Sequence, residues 1–216
     1  MKSIIKVGKK RIGDGFGCFI IAEAGSNHNG KLENAYKLID VAASCGADAV
    51  KFQTFKAEKI YSKKAGTANY LKTKKTIFDI IKSMEMPEAW IPKLYDYCRK
   101  KNIMFLSTPF DHDSIELLSD LGLEIFKIPS GELTNLPYLR HIGKLNKKVI
   151  LSTGMADMGE IEDALDILIS AGMKKENITS NSILIQRSNL PSGIYGYNIR
   201  EMQGGKIAAM GKLVIE

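Results

Sequence analysis

The chain reads as an α/β protein of the parallel (β/α) TIM-type barrel class, on three observations. From Phe19 onward, short uninterrupted apolar runs are each followed by a stretch with helical period, the mark of βα units feeding a parallel sheet. Glycines stand where helices should stop, in Cys45-Gly46-Ala47 and Asp120-Leu121-Gly122, each just before a strand. Hydroxyl and ionisable residues recur at the strand ends, where the sites of such folds assemble.

Strands are expected over residues 19–24, 49–54, 103–108, 125–129 and 149–153, all too short to be lone helices. Between them, Leu32, Ala35, Leu38, Ile39 and Ala42 make one apolar helical face, and Ile161, Ala164, Leu165 and Leu168 another; both should lie on the sheet. Residues 1–17 alternate apolar and basic around Gly8 and Gly13-Asp14-Gly15, which predicts an N-terminal β-hairpin plugging the bottom of the fold. Residues 18–179 then hold the first five barrel strands with their helices.

The Lys-rich stretch 56–86, with Tyr61, Tyr70 and Phe78, is long for a connection. A connection this long is usually functional or partly helical, the other reading being a mobile decoration. Past residue 179 the pattern degrades. Residues 182–186 fit a sixth strand, 188–205 are dense in Gly, Ser and Asn, and 207–215 form a short apolar coda. A closed barrel of this class has eight strands and takes about 250 residues. A chain of 216 residues therefore looks incomplete after the fifth or sixth strand, with 180–216 a degenerate or incomplete remainder.

A content of 44% hydrophobic and 25% charged residues suits one globular domain. The net charge of +7 is spread over many segments, which argues against a nucleic-acid footprint. Cys18, Cys45 and Cys98 are single and set in apolar surroundings, the pattern of core thiols in a reduced cytoplasmic protein. No apolar run approaches the roughly 18 residues of a membrane helix. The protein is therefore expected in the cytoplasm, with neither nucleic acid nor membrane as partner.

Lys51 and Lys127 interrupt apolar strands. A buried ammonium is costly unless it finds an anion or gives up its proton, and a bound phosphate or carboxylate would serve. At the same level stand Glu23, Gln53, Thr108, Ser130, Glu132 and Ser152, each at or just past a strand end. Singly, such hydroxyls usually cap the next helix and a strand lysine can snorkel to solvent. Five successive strands ending this way instead predict one receptor for a small polyanion. The segment from Gly25 to Gly30 holds Asn27 and His28 in a small-residue loop that a ligand could approach; His28 is a site residue or an ordinary loop residue. His112 falls at a helix start and His141 in a helix. The three histidines show no metal-ligand spacing, so no metal site is expected from the residues present.

The segments Ile20-Ile-Ala-Glu-Ala-Gly-Ser-Asn-His-Asn-Gly30, Gly46-Ala-Asp-Ala-Val-Lys-Phe-Gln-Thr54, Phe105-Leu-Ser-Thr-Pro-Phe110, Phe126-Lys-Ile-Pro-Ser-Gly-Glu132 and Ile150-Leu-Ser-Thr-Gly-Met155 resemble the sialic acid synthase family. That family includes N-acetylneuraminate, legionaminate and pseudaminate synthases and a spore-coat polysaccharide protein, and the resemblance runs from about residue 18 to 179. It implies condensation of phosphoenolpyruvate with an open-chain N-acetylated hexosamine to a nine-carbon keto-acid sugar, phosphate leaving by C–O cleavage. By position, the resemblance makes Lys51, Thr108, Lys127, Ser130 and Ser152 the phosphoenolpyruvate holders, with Gln53 beside them. Glu23, Lys51, Lys127 and Glu132 become the catalytic candidates, and Glu23 the one for proton or water management.

The resemblance further implies a divalent metal, Mn²⁺ or Mg²⁺, held by histidines in Ser-Asp-His-Thr and Glu-Lys-His-Phe segments that this chain lacks. It implies a homodimer when full length, completed by a small antifreeze-like domain that is absent here. Asn198-Ile-Arg-Glu-Met202 would echo a family helix and Leu213-Val-Ile-Glu216 the start of the last strand. Two other functions remain open: a Schiff-base pyruvate aldolase using Lys127, and a non-catalytic barrel that binds anions.

Overall fold

A computed structural model describes residues 5–12, 16–67, 75–154, 156–179, 193–200 and 207–215. In chain order the elements are β1 (Ile5–Val7), β2 (Lys10–Ile12), β3 (Ile21–Gly25), α1 (Leu32–Ser44), β4 (Ala49–Thr54), α2 (Ala57–Ile60), α3 (Ile77–Ser83) and α4 (Ile91–Lys100). There follow β5 (Met104–Pro109), α5 (His112–Asp120), β6 (Ile125–Ile128), α6 (Leu136–Leu145), β7 (Lys148–Leu151), α7 (Met158–Ser170), β8 (Ile178–Thr179), β9 (Gly193–Arg200) and β10 (Ile207–Ile215). Single 3₁₀ turns at Glu88–Trp90, Ser130–Glu132 and Lys175–Asn177 join some of them.

Strands β3, β4 and β5 form one parallel sheet and β6, β7 and β8 a second. The two sheets meet where β5 and β6 lie in contact. Each described crossover between neighbouring strands carries a helix, so the α/β parallel class stands. The five expected strands are all present, with bounds within two residues of expectation.

Local chemistry sets the helix limits. Asp111 accepts from the Ser114 N–H at 2.8 Å at the start of α5, and Asp157 and Glu160 form a reciprocal capping box on α7. The two expected stop glycines, Gly46 and Gly122, have φ of 75° and 88°, a left-handed turn that side chains with a Cβ disfavour.

The strands bury two different faces. On the outer one Val50, Phe52, Phe105, Phe126, Ile128, Val149 and Leu151 pack against Ile39, Leu94, Ile115, Ile142 and Leu168 of the helices. On the inner one Ala49, Leu106, Ile125 and Ile150 form a separate cluster with Ile5 and Val7 of the hairpin. The hairpin thus covers the N-terminal level of the inner face, and the Gly8 N–H donates to Glu124 at 3.1 Å to hold it there. Both expected helical faces lie on the sheet, although only Ala35, Ile39, Ala42, Ala164 and Leu168 are fully buried.

Several expectations change. Cys98 is a core thiol whose pKa burial pushes up to about 12, but Cys18 and Cys45 are exposed: Cys45 caps the end of α1, where the helix turns out to solvent. The 56–86 stretch is partly helical, containing α2 and α3, and its ends are tied together by the Ala57 N–H donating to the Glu85 carboxylate. The sixth strand expected at 182–186 lies outside the described residues. The described strand beside β7 is β8. Where a helical echo was expected from Asn198, the chain is extended to Arg200 and β9 pairs antiparallel with β10, Leu213 opposite Tyr195. Ile194, Tyr195, Tyr197 and Ile199 are β-branched and aromatic residues that favour a pleated strand over a helix.

Candidate active site

Side chains in a strand alternate between its two faces. Since Ile21, Ala49, Leu106, Ile125 and Ile150 belong to the inner cluster, the residues two further along share that face: Glu23, Lys51, Thr108, Lys127 and Ser152. Gln53 lies one step above Lys51. Apolar side chains therefore fill the N-terminal level of the inner face, and ionisable and hydroxyl groups occupy the C-terminal level.

Two lysines and one carboxylate set the electrostatics. Lys51, only 11% exposed in its side chain, forms an ion pair with Glu23, whose side chain is 55% exposed. Lys127 has no such partner among the described residues: its Nζ donates to the Ile128 carbonyl at 3.2 Å. Its pKa falls to about 8, because burial penalises the ammonium and the nearby Lys51 charge adds to that, with Glu23 opposing. The three groups thus act on one another electrostatically, and together they carry one excess positive charge when both amines are protonated. Thr108, 2% exposed, keeps its hydroxyl without a hydrogen-bond partner among the described residues. A buried orphan hydroxyl costs about 1–3 kcal/mol, a cost that a bound oxyanion would remove.

A β-bulge shapes the first strand's end. Glu23 pairs with Lys51 but Gly25, not Ala24, pairs with Phe52, so Ser26 follows alongside Gln53. Gly25 has φ 52°, and a Cβ there would lie 3.5 Å from Glu23 Oε1. Ser26 Oγ donates to Gln53 Oε1 at 3.1 Å. Nothing in the sequence pattern singled out Ser26. Only the register shift that bulges impose brings it to the site, and a glycine just after a strand's last polar residue was the one available hint.

The loop that follows is built tightly. His28 is fully buried; its Nδ1 accepts from the Gly30 N–H at 3.1 Å, and its ring meets Trp90 edge-on with centroids 5.6 Å apart. Burial lowers its pKa, so the ring is neutral with its proton on Nε2. That atom has no hydrogen-bond partner among the described residues. His28 is thus a buried residue of the loop that follows the first parallel strand. Asn27 is exposed, its N–H donating to the Ala24 carbonyl at 3.0 Å.

On the second sheet, Ser152 extends the ladder past β7 through its N–H to the Ile128 carbonyl at 3.1 Å. Ser130 lies beside Gly154, where an added Cβ would come 3.7 Å from Ser130 Oγ. Glu132 lies just past β6, in the Ser130–Glu132 turn. Its carboxylate accepts from Asn135 Nδ2 at 2.6 Å at the start of α6, a partner supplied by the 3₁₀ turn that carries it away from the strand.

No three His, Cys, Asp or Glu side chains among the described residues stand close enough to hold a metal ion. His112 and His141 join α5 to α6 through their Nδ1 atoms at 2.7 Å, on the outer layer. The described residues do not fit a divalent ion. No helix among them is long and apolar enough to cross a membrane.

A family model described as the NeuB family matches residues 38–208. The N,N'-diacetyllegionaminic acid synthase of Campylobacter jejuni is 51% identical over 193 residues, covering 88% of this chain and 57% of that protein. Among solved structures, N-acetylneuraminic acid (sialic acid) synthetase of Leptospira borgpetersenii, in complex with citrate, superposes with a TM-score of 0.71 at 35% identity, over 80% of this chain and 57% of that one. The spore coat polysaccharide biosynthesis protein spsE of Bacillus subtilis gives 0.67 at 41%, over 81% and 46%. The chain spans about half the length of the curated relatives it matches.

Proposed function

The chain belongs to the NeuB family, and from that premise we propose that it condenses phosphoenolpyruvate with an open-chain N-acetylated hexosamine to a nine-carbon sialic-acid-type keto-acid sugar. The observation that carries the reading is the inner-face level where Lys127, without a carboxylate partner among the described residues, lies near the Lys51–Glu23 pair on the same face as the Thr108 hydroxyl, which has no partner among them either. Such a set matches a ligand with a phosphate and a carboxylate.

In this mechanism Lys127, Thr108, Ser130 and Ser152 hold the two anionic groups, and Lys51 divides its protons between the ligand and Glu23. The enol carbon attacks the acceptor aldehyde and a C–C bond forms. The aldehyde oxygen takes up a proton from solvent, and positive charge develops at the carbon bearing the phosphate oxygen. Water adds there, losing one proton to Glu23; the C–O bond then breaks, the new hydroxyl passes its proton to the departing phosphate as the ketone forms, and Glu23 returns its proton to solvent. Fixed ammonium and hydroxyl groups stabilise the charge that moves, and alignment of the two reactants supplies much of the rest. Glu132 acts through its contact with Asn135, at the edge of the site. The Mn²⁺ or Mg²⁺ ion belonging to the family reading takes no part in these assignments.

The same reading makes the two parallel sheets part of a closed β/α barrel, in a cytoplasmic homodimer. Its test is phosphate release from the protein supplied with Mn²⁺. Release is expected only with phosphoenolpyruvate and an N-acetylhexosamine together, and no sugar-dependent release across several acceptors would sink it.

The lowered pKa of Lys127 favours one competing reading, a Schiff-base pyruvate aldolase. Borohydride treatment with pyruvate would then add mass at Lys127, whereas the synthase reading expects the mass to stay unchanged.

A further inference from the structure

We infer that His28 is a positioning residue: the bare Nδ1 of its ring pins the loop that brings Ser26 to the end of β3, and a proton taken up by the ring releases that loop. The Gly30 N–H donates to this Nδ1 at 3.1 Å. A backbone N–H can only donate, so the bond exists only while Nδ1 carries no proton. The other ring nitrogen, Nε2, is buried and faces no acceptor among the described residues. An imidazolium in this place would meet a donor on one side and no oxygen on the other, with its charge out of water.

Among the described residues no charge offsets that penalty. Burial is what moves the His28 pKa, and it moves it down. At the start of α1, Lys31 and Glu33 are exposed, and on the turn carrying Trp90 the Glu88 carboxylate is taken by Lys56 at 2.8 Å. Asn34 of α1 donates to the His28 carbonyl, at 3.2 Å.

The loop needs such a pin. Asn29 holds φ at 50°, which a residue with a Cβ adopts at a cost. Besides the ring bond, the loop is closed by the Asn27 N–H to Ala24 O at 3.0 Å, the Asn29 N–H to Ser26 O at 3.4 Å and the Lys31 N–H to His28 O at 3.0 Å. The second of these is long, so the ring bond and the edge-on contact with Trp90 hold the middle of the loop. Below the ordinary histidine value of 6.5, the open loop binds the proton more tightly than the closed one, and the closed form loses stability as pH falls. Ser26 then leaves Gln53, and any ligand held at this level loses that edge of its site.

Trp90 is the one tryptophan in the chain, so its emission reports the contact. Acidification from pH 7 to about pH 5, with far-UV dichroism unchanged, is expected to shift that emission reversibly to the red. It should also speed Gly30 amide exchange by about 5-fold beyond its intrinsic pH dependence, the worth of one hydrogen bond. In His28→Asn the amide oxygen can take the Gly30 N–H, as in an Asx turn, and nothing titrates; both responses should vanish while Gly30 stays protected at pH 7. His28→Phe keeps a ring against Trp90 but has no acceptor, so Gly30 should exchange faster at every pH.

Emission and exchange that ignore pH in wild type overturn the inference. Responses that persist in His28→Asn overturn it by assigning them to another group, and a protected Gly30 in His28→Phe overturns the pin. If neither variant folds, the wild-type His28 ring resonance decides: its titration midpoint must coincide with that of Gly30 exchange, and separate midpoints overturn the coupling.

Discussion

Lys127 shows how a single buried charge can be both a structural cost and a functional asset. Its pKa is depressed to about 8 from 10.5, so the folded protein holds the proton less tightly than the unfolded chain does. Between those two values the unfolded state binds more protons, and this group's contribution to stability rises with pH. Below about 8 the folded state bears the cost of a buried ammonium. Lys127→Met should therefore stabilise the ligand-free protein at pH 7 by about 1–3 kcal/mol, measured by urea unfolding, and abolish the rise in Tm that phosphoenolpyruvate gives wild type. A destabilised variant would contradict the assignment. The anion needs the charged amine, so affinity should be full at pH 7 and fall by roughly 10-fold, the worth of one charge-assisted bond, by pH 9.5. Calorimetry at the two values checks it, and a flat profile would argue against Lys127 as the anion holder. Both strand lysines were legible because a charge in an apolar run is conspicuous. Ser26 was not, since an ordinary loop serine becomes a site residue only through the bulge beside it.

At the scale of elements, α6 and α7 meet at a point where glycine is required for space. A Cβ at Gly143 would lie 2.6 Å from Ala171 Cβ and 2.8 Å from the Leu168 carbonyl. Two effects oppose each other in Gly143→Ala. Helix propensity favours the change by about 1 kcal/mol, while overpacking a close helix contact costs about 1–3 kcal/mol. Contact with a backbone carbonyl, which cannot swing aside, decides for the cost: net destabilisation of about 1 kcal/mol is expected by urea unfolding. A more stable variant would mean that the helices separate freely. Helix existence and limits were readable from period and caps, yet this approach was not. It depends on which helix lies beside α6, and no local pattern carries that.

For the whole molecule, the hairpin gives the inner face its floor. Val7 is fully buried among Ala49, Leu106, Ile125 and Ile150 of four different strands. Val7→Ala should cost about 2 kcal/mol and loosen the level on which the lysines stand, so phosphoenolpyruvate affinity should weaken along with stability. Unchanged affinity in a destabilised variant would show that the site keeps its geometry without the floor.

The parallel α/β class, the five strands and the polar level at their ends could be read from the chain directly, because period and alternation are properties of neighbours in sequence. The bulge that aligns Ser26 with Gln53, the seating of the hairpin, the pairing of β8 with β7 and of β9 with β10, and the turning of Glu132 to Asn135 were decided by the fold alone. Register and partner choice depend on contacts between residues tens of positions apart, and their energies exist only once the strands lie side by side.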